Sequence, residues 1–209
     1  VTEFWQDLAR AYQVHFTQAD FNQPVYGCPA THTLDVLFPH LNADERQSVI
    51  DMMVKYETNL TYTGVEDAVA FLRTLKKQGV PTALVTSGEQ WKVNEVINQL
   101  GIDGMFTAQV TAGDIQRGKP HPECYLLAAQ YLQKPPEQCI VFEDSISGVK
   151  AAVASGALCI GIGPSSMTSP LLQAGACCVV PDFTSISLLA CEDHAKTALI
   201  LRIGAGHSL

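Results

Sequence analysis

The chain has 209 residues, 47% of them hydrophobic and 16% charged, and its 21 acidic against 13 basic side chains leave a formal net charge of −8. That length suits one domain, or one domain carrying a modest insertion, and an acidic balance without a basic run disfavours nucleic acid and anionic membrane as partners. No apolar run approaches the ~20 residues of a membrane span, and residue one is Val rather than Met, with no basic-then-apolar leader pattern behind it.

Residues 1–61 read as helices. Phe4, Trp5, Leu8 and Tyr12 share one face, and Val49, Met52, Met53 and Tyr56 another, at i, i+3, i+4, i+7 spacing. Between them Asn22–Pro29, with Pro24, Gly27 and Pro29, is a loop. No strand-like run separates these helices, so a small helical bundle is expected.

After residue 62 short apolar strands alternate with helices. Val65, Ala68, Val69, Leu72 and Leu75 face inward on a helix closed by Gly79, and Val80–Val85 is a strand. A helix with Val93, Val96, Ile97 and Leu100 stops at Gly101, and Phe106–Val110 is the next strand. Cys124, Leu127, Ala128 and Tyr131 mark another helix, followed by a strand at Cys139–Phe142. Val149, Ala152 and Val153 lie on a helix ended by Gly156, and Leu158–Ile162 and Cys177–Val180 are two further strands. Strands that are apolar throughout fit a parallel sheet covered on both faces, hence a doubly wound, Rossmann-like α/β core over residues 62–190. From Cys191 to Leu209 the tail shows no clear pattern and is expected to fray.

The seven cysteines have no CxxC spacing and sit mostly in apolar runs, which reads as buried thiols in a reduced, cytoplasmic protein rather than a zinc site. Asn59-Leu60-Thr61 matches a glycosylation sequon but lacks a secretory context. Gly161-Ile-Gly163 lacks the third glycine and the acidic spacing of a dinucleotide fingerprint.

In such sheets ligands bind beyond the carboxyl ends of the strands, and three segments there can do chemistry. Thr86-Ser87-Gly88 follows one strand and precedes a helix, so it is either an anion pocket of hydroxyl and N–H groups or ordinary turn and capping chemistry. Glu143-Asp144-Ser145, with Gly148 after it, follows another strand. Two adjacent carboxylates repel, so a hard cation such as Mg²⁺ is a natural compensation, unless Asp144 or Ser145 only caps the helix. Arg117-Gly118-Lys119-Pro120-His121-Pro122 fixes the backbone around one lysine, either to aim its ammonium or as a solvated loop; His121 reads as structural.

In their order and placement these segments resemble the haloacid dehalogenase-like phosphohydrolases, and within them the β-phosphoglucomutase and sugar-phosphatase branch. The match lies in Thr86-Ser87-Gly88, Gly118-Lys119-Pro120-His121-Pro122 and Phe142-Glu143-Asp144-Ser145-Ile146-Ser147-Gly148. The resemblance implies an all-α helical cap domain at residues 1–61, with Tyr62-Thr63-Gly64 as the return into the core. It further implies Thr86, Ser87, Gly88 and Lys119 on the phosphate, Thr86 and Lys119 being catalytic, and Glu143 and Asp144 on Mg²⁺. Gly27, Cys28, Ala30 and Thr31 would form the cap's substrate loop.

One part of the family pattern is missing. The nucleophile and the general acid/base belong to an Asp-x-Asp motif on the first strand, and no two aspartates of this chain are two positions apart. By resemblance Val1 falls inside the first cap helix, so the expectation is a longer parent protein with roughly 15–20 more residues holding that strand and motif. A non-catalytic phosphate-binding relative is the alternative. The mutase carries an arginine where this chain has Ala30. The resemblance therefore favours hydrolysis of a small sugar- or polyol-phosphate over phosphate transfer within a sugar, with a phosphorylated metabolite as the partner. Oligomeric state is open, a monomer being the expectation.

Overall fold

The computed structural model describes residues 2–15, 17, 30–189 and 200–204. Three helices come first: α1 (Thr2–Ala11), α2 (Ala30–Leu37) and α3 (Ala43–Thr58). Trp5, Leu8, Leu34, Phe38 and Val49 are buried together among them. The start of α3 is fixed by a capping box, in which Asn42 accepts the Glu45 N–H at 3.0 Å while the Glu45 carboxylate accepts the Asn42 N–H at 2.9 Å.

The rest alternates helices and strands, in the order α4 (Ala68–Lys77), β1 (Ala83–Val85), α5 (Gln90–Leu100), β2 (Ala108–Val110), α6 (Glu123–Tyr131), β3 (Ile140–Glu143), α7 (Ile146–Ser155), β4 (Leu158–Ile162), α8 (Ser165–Ala174) and β5 (Cys178–Val180). β1 and β2 pair in parallel, with Ala83 opposite Ala108, and β3, β4 and β5 form a second parallel group in that order. This is an α/β fold with parallel sheets, as expected. Among the described residues no strand ladder joins β1 to β3. The two groups are held instead by side-chain packing, where Cys124 and Tyr125 of α6, Val149 of α7 and Leu171 of α8 bury Val110, Val85 and Val141 in one cluster.

β4 spans the Leu158–Ile162 expected of it, but the other four parallel strands begin later than the apolar runs suggest. β1 begins at Ala83 rather than Val80, because the Val80 N–H closes the end of α4 on Leu75 O and Pro81 has no N–H for a ladder. β2 begins at Ala108 because Phe106 packs with Val93 and Ile97 instead. The tail, expected to lack pattern, carries a strand. β7 (Ile200–Ile203) pairs antiparallel with β6 (Ile186–Leu189), and Leu201 and Ile203 pack beside Phe71, Phe142 and Phe183. Two four-residue strands leave too little periodicity to be seen without their packing partners.

Candidate active site

β3 ends on Glu143 because its last residue turns inward at the start of α7. Ser145 caps that helix, its Oγ accepting the Gly148 N–H at 3.0 Å, which leaves Asp144 outside the cap. The Glu143 side chain is 6% exposed and meets five donors. Oε2 accepts the N–H groups of Asp144 and Ser145 and the Ser145 hydroxyl, each at 3.0 Å. Oε1 accepts the Tyr125 hydroxyl at 2.6 Å and pairs with the Lys119 ammonium. Burial alone would raise this carboxyl. The Lys119 charge and hydrogen bond, with Tyr125 and Ser145, outweigh it and hold Glu143 below the ordinary range.

Gly148 is the condition for this arrangement. A methyl group there would overlap the Glu143 carboxylate, so the first turn of α7 must carry hydrogen where the side chain lies across it. Lys119 is itself buried, 6% exposed at the side chain, and sits 5.2 Å from the centre of the Tyr125 ring. The solvated-loop alternative for Lys119 is thereby excluded. His121 Nδ1 accepts the Glu123 N–H at 3.2 Å at the head of α6.

Asp144 differs from its neighbour. It reaches solvent, yet the packed protein around it and then the Glu143 charge push its carboxyl above the ordinary range. With Glu143 committed to five donors, Asp144 is the carboxylate at this strand end with oxygen to offer a cation. No three His, Cys, Asp or Glu side chains converge as a cation site among the described residues. The donor chemistry therefore fits part of a Mg²⁺ site, with hard oxygen at Asp144.

At the end of β1 the chain turns through Thr86-Ser87-Gly88 into α5. Thr86 N–H is held by Val110 O at 2.9 Å, and Thr86 Oγ1 accepts the Gly88 N–H at 3.0 Å. The hydroxyl thus serves the turn and still has its own hydrogen to donate to an anion. α6 packs against β1 and β2 while its Tyr125 reaches Glu143 at the end of β3. Lys119, Glu143 and Asp144 are one cluster. Ala30 and Thr31 open α2, half-buried and exposed respectively, and Gly27 and Cys28 lie outside the described residues. Tyr125 is the contributor that the sequence pattern missed. Its position three residues before Ala128 places it on the buried face of α6, and a buried tyrosine hydroxyl needs a polar partner, which was the available signal.

Set against known proteins, the chain is 30% identical over 161 residues to a phosphorylated carbohydrates phosphatase of Thermotoga maritima, covering 74% of this chain and 73% of that one. It is 38% identical over 111 residues to hexitol phosphatase A of Escherichia coli, covering 52% of this chain and 50% of that one. It thus spans about half the length of several curated relatives that it matches. A crystal structure of β-phosphoglucomutase from Clostridium difficile superposes with a TM-score of 0.72 at 22% identity, covering 86% of this chain and 82% of that one, which shows a shared fold. Residues 1–156 match the family model described as a haloacid dehalogenase-like hydrolase, so the chain belongs to that family.

Proposed function

We propose that the protein of which this chain is part is a Mg²⁺-dependent phosphatase that hydrolyses a small sugar- or polyol-phosphate through an aspartyl-phosphate. The observation that carries this is the buried Lys119–Glu143 pair beside the exposed Asp144 at the end of β3. Such a cluster supplies fixed positive charge and a free carboxylate where α6 links β3 to the Thr86 turn. The names of the carbohydrate and hexitol phosphatases support the substrate class.

In this scheme the covalent chemistry belongs to the two aspartates of the family's Asp-x-Asp motif, which residues 1–209 do not contain. The first attacks phosphorus, the P–O bond to the sugar breaks, and the second gives its proton to the departing alkoxide. The second then takes a proton from water, which attacks the acyl phosphate and releases inorganic phosphate. Thr86 Oγ1 and the Ser87 N–H hold phosphoryl oxygens, and Lys119, kept in place by Glu143 and Tyr125, offsets the charge shared between nucleophile and phosphate. Asp144 directly, with Glu143 beside it, would hold Mg²⁺, whose chemistry is to neutralise charge between carboxylate and phosphate.

Residues 1–61 act as the cap that excludes water and selects the leaving group, with 62–190 as the catalytic core. Ala30, where the mutase has arginine, leaves a second phosphate without a partner and favours hydrolysis. A cytoplasmic monomer is proposed; no helix among the described residues is long and apolar enough to cross a membrane.

The test is phosphate release by the full-length protein from a panel of sugar- and polyol-phosphates. Turnover that needs Mg²⁺ and is abolished in Asp144→Ala supports the proposal. Full activity in Asp144→Ala, or binding of the esters by calorimetry without turnover, overturns it. Conversion of glucose 1-phosphate to glucose 6-phosphate rather than to glucose would identify a mutase.

A further inference from the structure

α8 ends at Gly175, whose φ of 111° lies in the left-handed region, and three residues later β5 begins at Cys178. Along a regular strand successive side chains point to opposite faces, which keeps neighbouring thiols apart. Cys177 lies just ahead of the strand, and its N–H is bound to Cys159 O at 2.8 Å. The result is two free thiols with their sulfurs 3.8 Å apart, Cys177 exposed and Cys178 half-buried. The phosphatase proposal gives this pair no role. It lies at the amino-terminal start of β5, whereas Glu143 closes the carboxyl end of β3.

We propose that Cys177 and Cys178 form a dithiol site for a thiophilic centre that takes two sulfur ligands, of the trivalent organoarsenical class. Two thiolate bonds of ~2.3 Å, meeting at the near-right angle of a pyramidal trivalent centre, hold their sulfurs ~3.3 Å apart, which a small side-chain rotation reaches from the 3.8 Å already present. Oxidation of the pair to a disulfide is the competing chemistry, and geometry disfavours it. Adjacent Cα atoms are ~3.8 Å apart across a trans peptide, below the ~4.4–6.8 Å that disulfides prefer. Burial, and then the neighbouring Cys177, push the Cys178 thiol up to about 11, which further slows oxidation through a thiolate. A zinc-type ion would need more ligands than the pair provides, whereas an organoarsenical brings its own third substituent. In the reaction an R–As=O group condenses with the two S–H groups. Two As–S bonds form, two S–H bonds and the As=O bond break, and the oxygen leaves as water with both protons. Arsenic stays trivalent, so neither oxidant nor reductant is needed.

The experiment adds phenylarsine oxide to the folded full-length protein and reads the intact mass. The expected result is a single phenylarsenic adduct that survives excess glutathione and is removed by dithiothreitol, with peptide mapping placing it on the segment holding Cys177 and Cys178. Chelation favours the dithiol over a single thiol on the order of 10²-fold, so Cys177→Ser and Cys178→Ser should each weaken capture by about that factor, while Cys139→Ser should not. No adduct on the folded protein, an adduct mapped elsewhere in the unmutated chain, or one that both serine variants retain would overturn the site. Phosphatase turnover enters none of these readouts, so the two proposals stand or fall separately.

Discussion

Lys92, in the first turn of α5, donates to Glu57, in the last turn of α3, across 2.7 Å, and the Glu57 side chain is only 4% exposed. The pair ties the helical residues to the element that follows the Thr86 turn, and Lys92 also lies against Gly88. Gln99 reinforces the link by accepting the Tyr62 N–H at 2.8 Å and donating to Leu60 O at 3.1 Å. Removing one partner of a buried pair strands the other charge. Lys92→Met should therefore cost about 2–3 kcal/mol, below the ~3–5 kcal/mol of a fully buried pair because Lys92 is half-exposed. Glu57→Leu combined with Lys92→Met should recover most of the loss. Urea unfolding of the three variants checks the order, and a double variant no better than Lys92→Met alone would contradict it.

The donors around Glu143 are unequal. Tyr125→Phe removes one hydrogen bond from a neutral donor to the Glu143 carboxylate and leaves Lys119 in place, so it should cost about 1.5–3 kcal/mol. Lys119→Met removes the cation paired with a carboxylate that stays buried, and should cost about 3–5 kcal/mol. Thermal or urea denaturation of both variants tests the ranking. Equal losses would mean that the ion pair contributes no more than the phenol.

The long, periodic elements were legible because their signals are local. Gly101 and Gly156 stop α5 and α7 in the left-handed conformation, with φ of 61° and 93°, and sequence placed both stops. The candidate residues Thr86, Glu143 and Asp144 were legible because they stand at strand ends, and Lys119 because it stands in the proline-flanked loop ahead of α6. What sequence could not show is how the two carboxylates divide. Glu143 turns inward across Gly148 to meet Lys119 and Tyr125, while Asp144 stays at the surface. That division depends on a glycine five residues later and a tyrosine eighteen residues earlier. β6 and β7 were hidden for the same reason, since their stability comes from Phe71, Phe142 and Phe183 rather than from their own pattern.

Asp114 gives a pH signature. Its carboxylate accepts the Thr111 N–H at 2.7 Å and hydroxyl at 2.8 Å, and these bonds, backbone first, hold it below the ordinary range. A group with a lowered folded pKa stabilises above the unfolded value and loses that contribution as pH falls through the folded one. Asp114→Asn should therefore lower the urea midpoint at neutral pH. The difference from the unmutated chain should shrink as pH drops below the ordinary Asp range and vanish in stronger acid. A difference independent of pH would show that the carboxylate's charge is not what matters there.

Gly148→Ala sets two effects of opposite sign against each other. In an exposed helix interior, replacing glycine by alanine gains about 1 kcal/mol. Here the new methyl group would occupy the space of the Glu143 carboxylate, and that side chain cannot step aside without giving up its bonds to Lys119, Tyr125 and Ser145. Overpacking of this kind costs about 1–3 kcal/mol, and the lost charge-assisted bonds add to it, so the net effect should be destabilising by a few kcal/mol. Gly113→Ala is the control, because nothing lies closer to its added methyl than Thr111 Oγ1 at 4.0 Å. Denaturation midpoints of the two variants decide the matter. If Gly148→Ala were as stable as Gly113→Ala, Glu143 would have room to leave the lysine, and the division of labour between the two carboxylates would not hold.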